Sequence, residues 1–143
     1  MRLIGFMIGF ALLLLGVVLG GELGYFLDQP TLLIVFGGGF AFAYSAHGSR
    51  LWQACGHGLL NKNADTETYA DSAHVLQTLR RAFLGVGIIT ALIGAINLTR
   101  GLDDWSDFSP AFSTLLLAPL YGVFFAELVA MPAVRRLQAK ASL

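Results

Sequence analysis

The chain has 143 residues, of which 56% are hydrophobic and only 13% charged, whereas a soluble domain carries about 25% charged residues. Nine basic side chains balance nine acidic ones for a formal net charge of zero, which removes the electrostatic case for nucleic-acid binding. A mean hydropathy of +0.70, gathered into long apolar runs separated by short polar stretches, is the pattern of an integral membrane protein and not of a large soluble core.

Crossing a bilayer takes roughly 20 predominantly apolar residues. Hydropathy predicts four crossings, over about 3–27, 31–47, 82–99 and 111–134, in a single all-α transmembrane domain covering residues 1–143. The first run also has the look of a signal peptide, with Arg2, an apolar stretch and then small residues. Its apolar core exceeds the roughly 7–15 residues of a typical signal, so it is read as a retained helix. It carries Gly5, Gly9, Gly16, Gly20 and Gly24 near one face, the small-residue stripe by which helices approach closely in lipid. Asp28-Gln29-Pro30 then makes a tight turn into the second span.

Residues 48–81 form a polar loop too short for a separate domain. Helical character starts near Thr66, and Asp71 or Ser72 is suited to cap a turn. Val75, Leu76, Leu79 and Phe83 then recur at helical spacing, which predicts a third helix extended from the membrane into the cytoplasm. Within the third span Gly87, Thr90, Ala91, Gly94 and Asn97 make a stripe of small and mildly polar side chains. It either faces an ion path or partner helix, or simply packs. The acidic connection 100–110 carries Trp105, read as an interfacial anchor. In the fourth span Thr114, Ala118, Gly122, Ala126 and Ala130 recur every four residues as a packing stripe, and Pro119 predicts a kink.

Eight of the nine basic residues fall on one side of this four-span arrangement: Arg2, Arg50, Lys62, Arg80, Arg81, Arg135, Arg136 and Lys140. The other side holds Arg100 with Glu22, Asp28, Asp103, Asp104 and Asp107. Basic residues collect on the cytoplasmic side, so both termini and the loop are expected there, in a bacterial inner membrane.

Glu127 is the carboxylate well inside a span, which makes it a functional candidate. The alternative is a snorkelling or salt-bridged Glu127 partnered by Arg80 or Arg81. Cys55 has no second cysteine to pair with. His47, Cys55, His57 and His74 match no standard zinc spacing, so neither a metal nor any other cofactor is expected. Gly37-Gly38-Gly39 lies in an apolar span without the lysine of a phosphate-binding loop. No catalytic triad or carboxylate pair appears, and the chain is not expected to be an enzyme.

Two segments resemble the MotA/TolQ/ExbB proton channel family, in its MotA branch. Residues 24–38 set Asp28-Gln29-Pro30 ahead of Ile34-Val35-Phe36-Gly37-Gly38, like the first periplasmic turn and second helix of flagellar stator subunits. Residues 87–137 hold Gly87-Ile-Ile-Thr-Ala-Leu-Ile-Gly94, Leu120-Tyr-Gly-Val-Phe-Phe-Ala126 and Met131-Pro-Ala-Val-Arg-Arg-Leu137. These are similar to the family's third helix, its Leu-Tyr-Gly fourth helix and its closing exit. The resemblance implies a homopentamer around a pair of MotB/TolR/ExbD-like single-span subunits whose membrane aspartate binds a proton or sodium ion. Gly87, Thr90, Ala91, Gly94, Asn97, Ala118, Pro119 and Tyr121 would face the ion path or partner, and Gly16, Gly20, Gly122 and Ala126 would serve helix packing. This chain places Ala91 and Ala118-Pro119 where family members carry hydroxyls, and Glu127 where a neutral residue is usual. Its loop is also shorter than that of flagellar stators. A non-conducting scaffold of the same fold, and an unrelated small transporter working through Glu127, are the alternatives.

Overall fold

The structure is a computed structural model describing residues 2–21, 23–60, 63–100 and 105–142. Glu22, Lys62, Asp103 and Asp104 of the charge asymmetry lie outside the described residues, as do the side chains of Arg2, Arg100, Trp105 and Asp107 and the surroundings of Gly5.

The described chain is helical throughout, without a strand. Helix α1 spans Arg2–Leu19, a short 3-10 turn Leu23–Phe26, α2 Gln29–His47, α3 Arg50–Leu59 and α4 Thr66–Arg100. Helix α5 spans Trp105–Val123, a π-helical segment Phe124–Ala130 and α6 Met131–Ala141. Among the described residues two helical stretches are long and apolar enough to cross a membrane, Thr66–Thr99 and Phe108–Ala141, each 34 residues. Helix α2 with α3 gives a third if that sharply bent pair counts as one crossing. Of the four crossings expected, this supports a helical, membrane-type chain with two clear spanning helices.

The first run does not continue as one helix to residue 27. Helix α1 ends at Leu19, and Gly21 takes a φ of 141°, a backbone region that only glycine enters freely. The chain there turns into Leu23–Phe26 instead of prolonging α1. Pro30 at the start of α2 suits its position, because the first turn of a helix needs no N–H from it.

Gly48 ends α2 at φ 58°, and α3 leaves at 117° to α2. The loop expected over 48–81 therefore holds an extra helix. Helix α3 turns Leu51 and Ala54 into the core, beside Val75, Leu76 and Leu79 of α4 and Val134 and Leu137 of α6.

Helix α4 runs unbroken from the loop through the apolar span, as the periodicity predicted. Its start lies earlier than the expected caps. Asp65 accepts from the Thr68 hydroxyl, and its carbonyl accepts the Tyr69 N–H at 3.0 Å, whereas Asp71 and Ser72 lie within the helix.

At Pro119, where a kink is expected, the helix keeps its α-helical geometry. Helix α5 passes through Pro110 and Pro119, and the departure from α geometry comes at Phe124–Ala130. There the Met131 N–H bonds the Ala126 carbonyl five residues back. Pro132 follows at once and has no N–H for the carbonyl four residues earlier, so the wider turn ends where the α ladder would be interrupted anyway.

Candidate functional site

The fold is organised by the seam between α4 and α5. Gly87 and Gly122 meet with their Cα atoms close enough that a Cβ on either would lie 3.1 Å from the other's Cα. A Cβ on Gly94 would lie 2.8 Å from the Leu115 nitrogen and 3.2 Å from the Ala111 carbonyl oxygen. This is backbone-to-backbone packing of the small-residue kind. Ala118, Ala126 and Ala130 are buried along the same seam, so the fourth-span stripe is a packing surface within the chain.

The seam also takes up much of the stripe read as facing an ion path or partner. Gly87, Thr90 and Gly94 are buried, Ala91 is half-buried against the Val35–Leu117–Ala118–Tyr121 cluster, and Asn97 is exposed. Pro119 is half-buried. The uncovered face of α4 is instead Ile88, Ile89, Leu92, Ile93 and Ile96.

Tyr121 ties the N-terminal end of α2 to α5. Its hydroxyl donates to the Phe26 carbonyl and accepts the Asp28 N–H at 2.9 Å. Beside it the Thr31 hydroxyl donates to the Asp28 carboxylate and lies 3.4 Å from the Thr114 hydroxyl. The ring that belongs to the Leu-Tyr-Gly motif thus fixes the turn that belongs to the Asp-Gln-Pro motif, a relation that spacing of 93 residues along the chain does not reveal.

Glu127 sits on the π-helical segment and is paired. Arg80 donates to its Oε1 through Nε at 3.0 Å and also through Nη2. The side chains are 26% and 40% exposed, so the carboxylate is salt-bridged at the apolar boundary. The partner is Arg80, one of the two named from the sequence. Glu127 borders an apolar cavity of about 380 Å³ between α1, α2 and α5, walled by Phe10, Leu13, Leu32 and Phe124 among others.

Among the described residues, Gly9 and Gly16 of α1 meet no partner helix. Gly16 and Gly20 are exposed, and a Cβ on Gly9, Gly16 or Gly24 would meet nothing within 4 Å. Helix α1 lies against the bundle more loosely than the others, with the Phe10 ring 6.4 Å from that of Phe124.

The histidines serve the loop side of the fold. His47 Nε2 lies 3.0 Å from the Thr78 hydroxyl and His57 Nδ1 lies 2.9 Å from that of Ser72. Among the described residues no group of three or more His, Cys, Asp or Glu is placed to hold a metal.

No family model matches the chain. A curated relative, Motility protein A of Aquifex aeolicus (strain VF5), is 23% identical over 204 aligned positions that cover 95% of this chain and 80% of the relative. The alignment is longer than the chain, so the relative carries segments absent here. The similarity extends along nearly the whole chain and is distant.

Proposed function

We propose that this chain is a motor-stator-like membrane subunit, built to assemble as a ring around a single-span partner of the MotB/TolR/ExbD kind. The observation that carries the reading is the end-to-end similarity to Motility protein A. It joins a fold in which two long apolar helices pack by glycine contact and both α1 and α4 leave apolar faces uncovered. In this reading five copies cover those faces with one another and with the partner, whose membrane aspartate carries a proton or sodium ion. The termini and residues 48–81 face the cytoplasm of a bacterial inner membrane, a reading that the distribution of basic residues supports. The chain itself does no covalent chemistry and needs no cofactor or metal.

Ala91, Asn97 and Pro119 are the positions of the family-like stripe that retain exposure toward such a partner. The burial of Thr90 and Ala118 between α4 and α5 favours a second reading, a ring that holds its partner without conducting. Reconstituting the chain with its partner in liposomes and measuring ion flux separates the two. Flux abolished by changing the partner's aspartate to asparagine supports conduction. Stable co-assembly without flux supports the scaffold. An unrelated transporter working through Glu127 is disfavoured, because the Arg80 pair holds that carboxylate already.

A further inference from the structure

The 117° turn at Gly48 sends α3 away from the direction of α2 and back across the base of the bundle. On one side α3 is seated on protein, with Leu51 and Ala54 fully buried. On another side it presents Trp52 and Leu59, 61% and 48% exposed, and Leu60 just past its end is 73% exposed. At 3.6 residues per turn Leu59 falls within about 20° of Trp52 around the axis. Arg50 and Gln53 are exposed on the remaining side, and His57 is turned to Ser72.

This apolar face is continuous with the surface of α2. The Trp52 indole stacks on Phe40, with ring centroids 6.0 Å apart and planes at 11°. Phe36, one turn before Phe40 on α2 and in ring contact with it, is exposed beyond it. Cations stand on the same end of the bundle: Arg50 opens α3, and Arg81, Arg135 and Arg136 are exposed on α4 and α6. A helix with one apolar face, a polar remainder, a tryptophan and neighbouring cations is suited to lie in the headgroup region of an anionic leaflet.

We propose that α3 is an interfacial helix whose Trp52–Leu59 face is inserted into the leaflet on the basic side of the membrane. The occupant of the face is lipid: acyl chain near the headgroup, with anionic phosphates opposite the arginines. The inference rests on the chain spanning a membrane and is independent of the motor reading. It gives the loop a second job, fixing the depth at which α4 and α6 leave the bilayer.

The test uses the full chain with Trp105→Phe, so that Trp52 is the remaining tryptophan, reconstituted in vesicles of phosphatidylglycerol and phosphatidylethanolamine. Flotation on a density gradient checks membrane insertion first. Trp52 emission is then quenched by lipids brominated near the headgroup, by lipids brominated near the chain terminus, and by aqueous iodide. The expected result is strongest quenching by the shallow bromines, matching insertion of about 5–10 Å, and little by iodide. Strong iodide quenching, or shielding from bromine and iodide alike because a second copy covers the face, overturns the proposal. Failure to float overturns the membrane reading with it. The difference spectrum between the unaltered chain and Trp52→Phe gives the same readout should Trp105→Phe not fold.

Discussion

Arg80 on α4 and Glu127 on the π-helical segment form a two-pronged ion pair across 47 residues of sequence. The two charges occupy the level where the apolar parts of both long helices give way to their polar extensions. Charges at that level are held by a partner or by water, and the pair lets α4 and α6 continue together past the boundary.

Breaking that pair destabilises modestly, because both side chains retain solvent access. Glu127→Gln or Arg80→Gln is expected to cost about 1 kcal/mol or less, in keeping with partly exposed pairs. The swap Arg80→Glu with Glu127→Arg is expected to recover most of the loss. Thermal unfolding in detergent reads both; a swap no better than the single changes would contradict a simple ion pair.

Glycines of the two stripes are expected to respond oppositely. Gly87→Val or Gly122→Val forces α4 and α5 apart where their backbones touch, an overpacking cost of about 1–3 kcal/mol or more. Gly16→Val meets open space within the chain and is expected to leave monomer unfolding unchanged while weakening self-association. Equal effects of the two on monomer stability would show that α1 packs within its own chain.

Tyr121→Phe removes the hydroxyl shared by Phe26 and Asp28. Leaving these part-buried backbone groups unpaired is expected to cost about 1–3 kcal/mol. Hydrogen exchange at the Asp28 amide is expected to accelerate, with the Gly87–Gly122 seam unaffected. Unchanged exchange at Asp28 would remove the tie from the account.

The Thr68 hydroxyl bonded to Asp65 holds this exposed carboxyl below the usual aspartate range, with help from a backbone bond and the distant charge of His57. Its folded pKa is lowered, so the contribution is present above the unfolded value of about 3.9 and lost as pH falls through the folded pKa. The first turn of α4 is expected to fray in that acidic window, seen as faster exchange at the Tyr69 amide. Asp65→Asn is expected to flatten this pH dependence.

Much of the fold was legible because hydropathy and helical period act locally. The unbroken helix from Thr66 and the packing stripe through Ala118, Gly122 and Ala126 follow from spacing alone. Glu127's pairing with Arg80 was foreseeable because a boundary carboxylate needs a cation and few were near. Helix α3 is not marked in the sequence: it is short, contains Gly56 and Gly58, and seats its apolar side on α4 and α6. The π-helical segment Phe124–Ala130 was hidden too, since it depends on how Pro132 and the seam share one helix. Sequence showed that Gly87, Thr90 and Gly94 share a face, but not what the face meets. That is a tertiary choice, and in the structure α5 fills it.

The central claim is that the uncovered faces of α1 and α4 are covered by copies of the chain and by a single-span partner. Native mass spectrometry of the complex, extracted intact from its own membrane and transferred to lipid nanodiscs, tests this most directly. The expected mass is that of five copies of this chain with two of a smaller protein that bears one transmembrane segment and a membrane aspartate. Monomers or dimers alone, stable across detergents and lipids and without such a partner, would contradict it.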